Sequence, residues 1–160
     1  MLIGILSDTH DHLPLLRKAL GMMKERGVEL VLHAGDFVSP FTAEPFREAG
    51  LRVIGVFGNN DGDKLYLRER FREVGEIFFP PHEFELGGRR VVLLHEPRAL
   101  QALVESGKYD LLVYGHTHRP EVRQGRTLVV NPGEAGGWLT GQPTAALVDL
   151  ASLRAEIIYL

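Results

Sequence analysis

Histidine, aspartate and asparagine recur in this 160-residue chain just where short apolar runs end. "LIGIL" runs into Ser7-Asp8-Thr9-His10, "LVLH" into Ala34-Gly35-Asp36, and "VIGVF" into Gly58-Asn59-Asn60-Asp61. "VVLLH" ends on His95, and "LLVYG" leads into His116-Thr117-His118. These side chains are hard and borderline donors for a divalent cation. Asp8 and His10 stand at i, i+2, as do His116 and His118. In extended backbone such residues point the same way, so each pair is expected to grip from one side. Polar side chains gathered at the ends of core strands carry a desolvation cost that a bound cation offsets. A strand cap or a loop histidine explains any one of these positions. It does not explain all of them together.

The elements that must position these residues follow from periodicity. "MLIGILSD", "VELVLHAGD" and "LRVIGVFGNND" read as buried strands. Between the first two lies the helical stretch "LPLLRKALGMMKERG": Pro14 suits its first turn, Leu16, Ala19, Leu20 and Met23 share a face, and Gly27 stops it. "SPFTAEPFREAG" is an imperfect helix because Pro45 falls inside it. Asp63 is placed to cap a helix over "KLYLRERFREVG". The second half is richer in strands: "EIFFPP", then "HEFELGGRRVVLLHE" as a hairpin turning at Gly87-Gly88. A helix over "PRALQALVESG" leads to the strand "DLLVYG". The remaining short strands, in "PEVRQGRTLVVNPG" and "TAALVDLASLRAEIIYL", are expected to be antiparallel. The prediction is an α/β layered fold with mixed sheets, in one domain over residues 1–160. In such folds ligands collect at the carboxyl ends of strands, where the donors stand.

Composition narrows the chemistry. With no cysteine, thiolate metal sites, disulfides and a cysteine nucleophile are excluded. A net charge of −3 gives no basic footprint for nucleic acid. The opening apolar run lacks a basic flank and is too short for a signal peptide or a membrane span, so a cytoplasmic location is expected.

The set "SDTH", "HAGD", "GNND", "LLH", "GHTH" and "NPG", in that order and strand context, resembles the calcineurin-like metallophosphoesterases. More closely it resembles their small single-domain branch of bacterial and archaeal phosphodiesterases, which also includes a metal-site-bearing subunit of the eukaryotic retromer. The resemblance implies a four-layer α/β/β/α sandwich of two mixed sheets flanked by helices. It also implies a dinuclear metal centre whose bridging hydroxide attacks phosphorus in line. Asp8, His10 and His118 would serve one metal, Asn59, His95 and His116 the other, with Asp36 shared. The cofactors are then two divalent ions, manganese first, with iron, nickel or zinc equally matched to these donors. The substrate is a small phosphodiester, with no membrane partner; self-association is left open.

Departures from the family pattern carry information. Where many members have a histidine after the loop asparagine, this chain has Asn60. An amide can hydrogen-bond a phosphate oxygen but cannot act as a general acid. Asn59 and Asn60 are therefore the residues expected to touch the reacting group. Glu96 and Glu134 stand where the family has small residues, and both are expected to be solvated loop residues. Facing the metals, they would bias the site against dianionic monoesters. Asp61 is expected to orient its loop, His33 to stand behind the ligands, His12 and His82 at the surface or rim, and Trp138 near the site or simply at the surface. The competing reading is a scaffold that keeps the fold, has little activity and binds a protein partner. Metal storage is a poor third, since it needs no open phosphate pocket.

Overall fold

Alternation along the first strand sets the layering. The structure, a computed structural model, describes residues 1–160. In β1 (Leu2–Leu6), Ile3 and Ile5 enter one core while Leu6 enters another. β1 lies inside a six-stranded sheet with β2 (Leu30–His33), β3 (Val53–Val56), β4 (Gly75–Phe78), β10 (Thr144–Asp149) and β11 (Arg154–Tyr159), in the order β11-β10-β1-β2-β3-β4. Strands β1 to β4 are mutually parallel, and β10 and β11 are antiparallel additions at one edge. The second sheet joins β5 (His82–Leu86), β6 (Arg89–Leu93), β7 (Leu111–Val113), β9 (Leu128–Asn131) and β8 (Glu121–Arg123), in the order β5-β6-β7-β9-β8.

The two sheets pack face to face through Ile3, Ile5, Leu32, Val56, Val91, Leu93, Val113 and Val130, all fully buried. Helices α1 (Leu13–Glu25), α2 (Ala43–Ala49) and α3 (Lys64–Phe71) cover the outer face of the six-stranded sheet. α4 (Leu100–Glu105) covers the other sheet through Leu100, Leu103 and Val104. This is the expected α/β/β/α sandwich. Close approach of α1 depends on Gly4, where a methyl group would strike Met23. No helix is long and apolar enough to cross a membrane.

Pro45 does not spoil α2. It sits in the first turn, where an N–H has no partner within the helix. Gly87 and Gly88, both at positive φ, make the expected hairpin between β5 and β6. The "REVG" part of the third helical stretch does not continue α3, which ends at Phe71. The second half is not simply antiparallel: β9 runs parallel to β7. All four residues of β9 are buried, so it takes the inner position, and the more exposed β8 pairs antiparallel at the edge.

Candidate metal centre

The loops after β1, β2, β3, β6 and β7 meet at the carboxyl ends of their strands. Main-chain bonds stitch them together. Asp8 N–H donates to Gly35 O at 3.0 Å, and His10 N–H to Asp36 O at 3.1 Å. His116 N–H donates to Asp8 Oδ2 at 3.0 Å. Small residues permit this closeness: a methyl on Gly58 would fall on the Asp36 carboxylate, and one on Gly115 on Ser7 Oγ.

The expected extended geometry of the i, i+2 pairs is wrong. Asp8 (φ 53°), His10 (42°), Asp36 (60°), His116 (69°) and His118 (58°) all lie in the left-handed region, which Asp and His tolerate better than most side chains. The turn sends the two histidines of "GHTH" to different neighbours. His118 Nε2 lies 3.3 Å from Asp8 Oδ1, whereas His116 Nδ1 lies 2.9 Å from Asn59 Oδ1.

Two clusters result. In one, the His10 and His118 rings stack at 5.5 Å, with His10 Nε2 3.7 Å from Asp8 Oδ1. In the other, His95 Nε2 and His116 Nδ1 both approach Asn59 Oδ1, at 2.8 and 2.9 Å. Asp36 stands between them: its Oδ2 is 3.6 Å from His10 Nε2 and 3.5 Å from His95 Nε2. Asp8 also comes within reach of Asp36 and His95, so the two clusters are contiguous. Asp8, Asp36 and His95 are buried, while Asn59 and His116 are exposed, so the second cluster faces solvent.

The unsatisfied atoms fit cations. Asp8 Oδ1 and His10 Nε2, which face each other in the first cluster, are buried with no hydrogen-bond partner, while the partnerless Nδ1 of His118 lies on the Glu134 side of its ring and leaves Nε2 toward Asp8. His95 Nδ1 donates to the Ala34 carbonyl at 2.7 Å, which leaves a lone pair on Nε2 facing the Asp36 carboxylate. Acceptor facing acceptor at that distance calls for positive charge between them. Burial pushes the Asp8 carboxyl up, but the nearby His10 ring and the 2.6 Å bond from Ser7 Oγ outweigh it and leave the pKa lowered. His10 is raised, chiefly by Asp8, against its own burial.

The profile of the calcineurin-like phosphoesterase superfamily domain matches residues 1–153. The chain belongs to this superfamily. It is a hydrolase of phosphoric esters. This phosphoesterase is 40% identical over 165 residues to phosphodiesterase MJ0936 of Methanocaldococcus jannaschii, covering 100% of this chain and 99% of that one. It is 29% identical to phosphodiesterase YfcE of Escherichia coli, over 87% of this chain and 82% of the relative. A solved structure described as a novel archaeal phosphodiesterase superposes with a TM-score of 0.94 at 37% identity, covering 100% of both chains. Vps29 of Entamoeba histolytica, with a TM-score of 0.72 at 20% identity over 100% of this chain and 99% of that one, shares the fold alone.

Around the donors of this phosphoesterase stand residues whose work is support. Asp61 is buried and accepts N–H bonds from Val38 (2.7 Å), Gly58 (2.7 Å) and Asp36 (3.3 Å), which ties the "GNND" loop to the Asp36 loop. Asn131 does not stand out by its type. Its amide donates to Gly115 O and Thr117 Oγ1 at 3.2 and 3.0 Å, and so holds the "GHTH" loop. Its signal in the sequence is the "NPG" turn that follows β9. Glu96 pairs with Arg98 at 2.6 Å and remains partly exposed. Trp138 is 64% exposed; it packs on His12 at 4.8 Å and donates its indole N–H to His10 O at 3.2 Å. His82 is half-buried between Phe78 and Phe84, opposite Leu93 at the end of β6.

Glu134 is the main correction. It is fully buried rather than solvated. Its carboxylate accepts from Leu139 N–H, Thr140 N–H and Thr140 Oγ1, and its Oε1 lies 3.1 Å from His118 Nδ1, off the hydrogen-bond line. Burial pushes its pKa up, but these donors and His118 bring it below the usual range. The "GGWLT" segment folds back to supply the donors, an arrangement that no local pattern announces.

His33 stands behind the donors as expected, and is fully buried. Gly35 N–H donates to its Nδ1 at 3.2 Å, so the proton sits on Nε2 and points at Thr9 Oγ1, 3.2 Å away. Thr9 Oγ1 in turn donates to Asp36 O at 3.3 Å. Burial lowers the His33 pKa to about 3. Because the folded value lies below the unfolded one, this neutral ring contributes stability above the ordinary histidine pKa of 6.5 and loses it as pH falls toward 3. The slope is at most about 1.4 kcal/mol per pH unit. Urea midpoints measured in chelator from pH 7 to pH 4 should fall more steeply for wild type than for His33→Gln. Equal slopes would refute the buried neutral ring.

Proposed function

We propose that this chain is a phosphodiesterase working through two divalent cations, and the single observation that carries the reading is Asp36 placed between the two donor clusters, its Oδ2 3.6 Å from His10 Nε2 and 3.5 Å from His95 Nε2. Asp8, His10 and His118 would hold one cation, Asn59, His95 and His116 the other, with Asp36 touching both. Nitrogen and oxygen donors without thiolate suit manganese, iron, nickel or zinc. Bound there, such a pair supplies Lewis acidity and a hydroxide nucleophile for in-line attack on phosphorus. The protein's own part is position. The His95 Nδ1 bond to Ala34 O and the Glu134 contact at His118 Nδ1 aim the two rings. Asn60 donates its backbone N–H and its amide to Asp36 Oδ1 and Oδ2, both at 2.8 Å. From there its exposed amide can turn to a phosphate oxygen. The diester preference is supported by the archaeal relative named a phosphodiesterase at 40% identity over the whole chain.

A turnover assay on bis-p-nitrophenyl phosphate and p-nitrophenyl phosphate, with Mn²⁺, Fe²⁺, Ni²⁺ and Zn²⁺ in turn, tests this reading. Metal-dependent hydrolysis of the diester in preference to the monoester supports it. Absence of turnover with every metal would leave only the fold and favour the scaffold.

Glu134 provides a separate check. Replacing it with serine removes the carboxylate at His118 Nδ1, and metal affinity should fall about 10–100-fold. The same change removes a negative charge beside the site, so monoester hydrolysis at saturating metal should improve relative to diester hydrolysis. Unchanged metal affinity in Glu134→Ser would show that the 3.1 Å contact is incidental.

A further inference from the structure

A groove of about 430 Å³ opens directly from Asn59 and His95, within the ~300–1,000 Å³ typical of small-molecule sites. Phe57, Phe79, Pro80 and Leu94 give it an aromatic and apolar wall, and Lys64 and the paired Glu96 and Arg98 add charge at its edges. Phe57 and Phe79 follow β3 and β4, neighbouring parallel strands, and the loop after β3 goes on to Asn59. Phe57 is buried, but Phe79 is 65% exposed, its ring tilted 51° to Phe57 at 5.0 Å. A large aromatic face left open to water beside reactive groups is ready to receive a flat ligand. Lys64 Nζ sits 5.8 Å over the Phe57 ring and donates to Asp61 O at 2.6 Å, which keeps positive charge beside the groove.

We propose that this groove binds a planar aromatic group on one ester arm of the substrate, stacked on Phe79 while the phosphate lies at Asn59 and His95. The assignment rests on the phosphodiesterase reading above and names its substrate class: a monoanionic diester of an aryl alcohol or of a nucleoside. Both present the same chemistry, a flat π-system joined to phosphate.

Methylphosphonate monoesters of ethanol, phenol and the thymidine 5′-hydroxyl carry one negative charge each and differ only in the alcohol. Their inhibition constants against bis-p-nitrophenyl phosphate hydrolysis by the Mn²⁺-loaded enzyme read the groove. Wild type should bind the phenyl or thymidine ester about tenfold or more tightly than the ethyl ester. Phe79→Ala should remove most of that ratio, Phe79→Tyr should retain it, and the ethyl inhibition constant should stay within about twofold throughout. Tighter binding of thymidine than phenol identifies the nucleotide source, and the reverse a simple aryl ester. A ratio that survives Phe79→Ala overturns the groove assignment and leaves the phosphodiesterase reading standing. Hydrolysis of p-nitrophenyl phosphate without hydrolysis of the diester overturns that reading, and the groove assignment with it.

Discussion

Replacing Asp36 by asparagine is expected to cut diester turnover by about 10³-fold or more and to loosen metal at both clusters together. Asp36 is buried, and its two oxygens already accept both N–H donors of Asn60 while facing His10 and His95. An amide there must turn an NH₂ group toward one of those partners and surrender the negative charge that both halves share. The main-chain oxygen of Asp36, which accepts from His10 N–H and Thr9 Oγ1, is untouched by the change, so the fold should persist. Metal analysis of the folded variant decides the matter. Two full equivalents per chain, retained after dialysis, would refute the bridging role.

The second large effect concerns Asn60. Its amide cannot supply a proton to a departing alkoxide near neutral pH. Rates for a series of diesters should therefore depend steeply on leaving-group pKa. Asn60→His should flatten that dependence and raise turnover of poor leaving groups by about 10²–10⁴-fold, with little change for p-nitrophenyl esters. The residue is exposed, so an imidazole has room. A wild-type rate indifferent to leaving group, with product release shown not to limit turnover, would refute the absence of an acid.

What the sequence made legible was the gathering of donors at strand ends. "LIGIL", "LVLH", "VIGV" and "LLV" declare themselves by buried β-type residues, and Asp8, Asp36, Asn59, His95, His116 and His118 follow because parallel strands end on one side. Illegible features depended on distant backbone. Spacing alone puts His116 and His118 on one face, but left-handed φ values, held by bonds to the Asp8 loop, send them apart. Glu134 reads as a solvated loop residue until the segment after it returns three donors to its carboxylate. The place of β9 beside β7 turned on burial across a whole sheet, which no hairpin signal carries.

The left-handed backbone at Asp8, His10, Asp36, His116 and His118 bears on how other members of this superfamily are read. A side chain at such a φ costs about 1 kcal/mol relative to glycine. Asp8 and Asp36 also accept bonds that stitch the loops together, but the His10 and His118 rings make no hydrogen bond within the chain, so folding by itself would favour glycine at those two positions and the chemistry holds imidazole there. A lineage that stops using the site is thus under no pressure to keep them, and gains stability by letting them go. Glycine at the turns of His10 and His118, in a chain whose cores are otherwise intact, is accordingly the change expected of a relative that has abandoned hydrolysis and kept the scaffold.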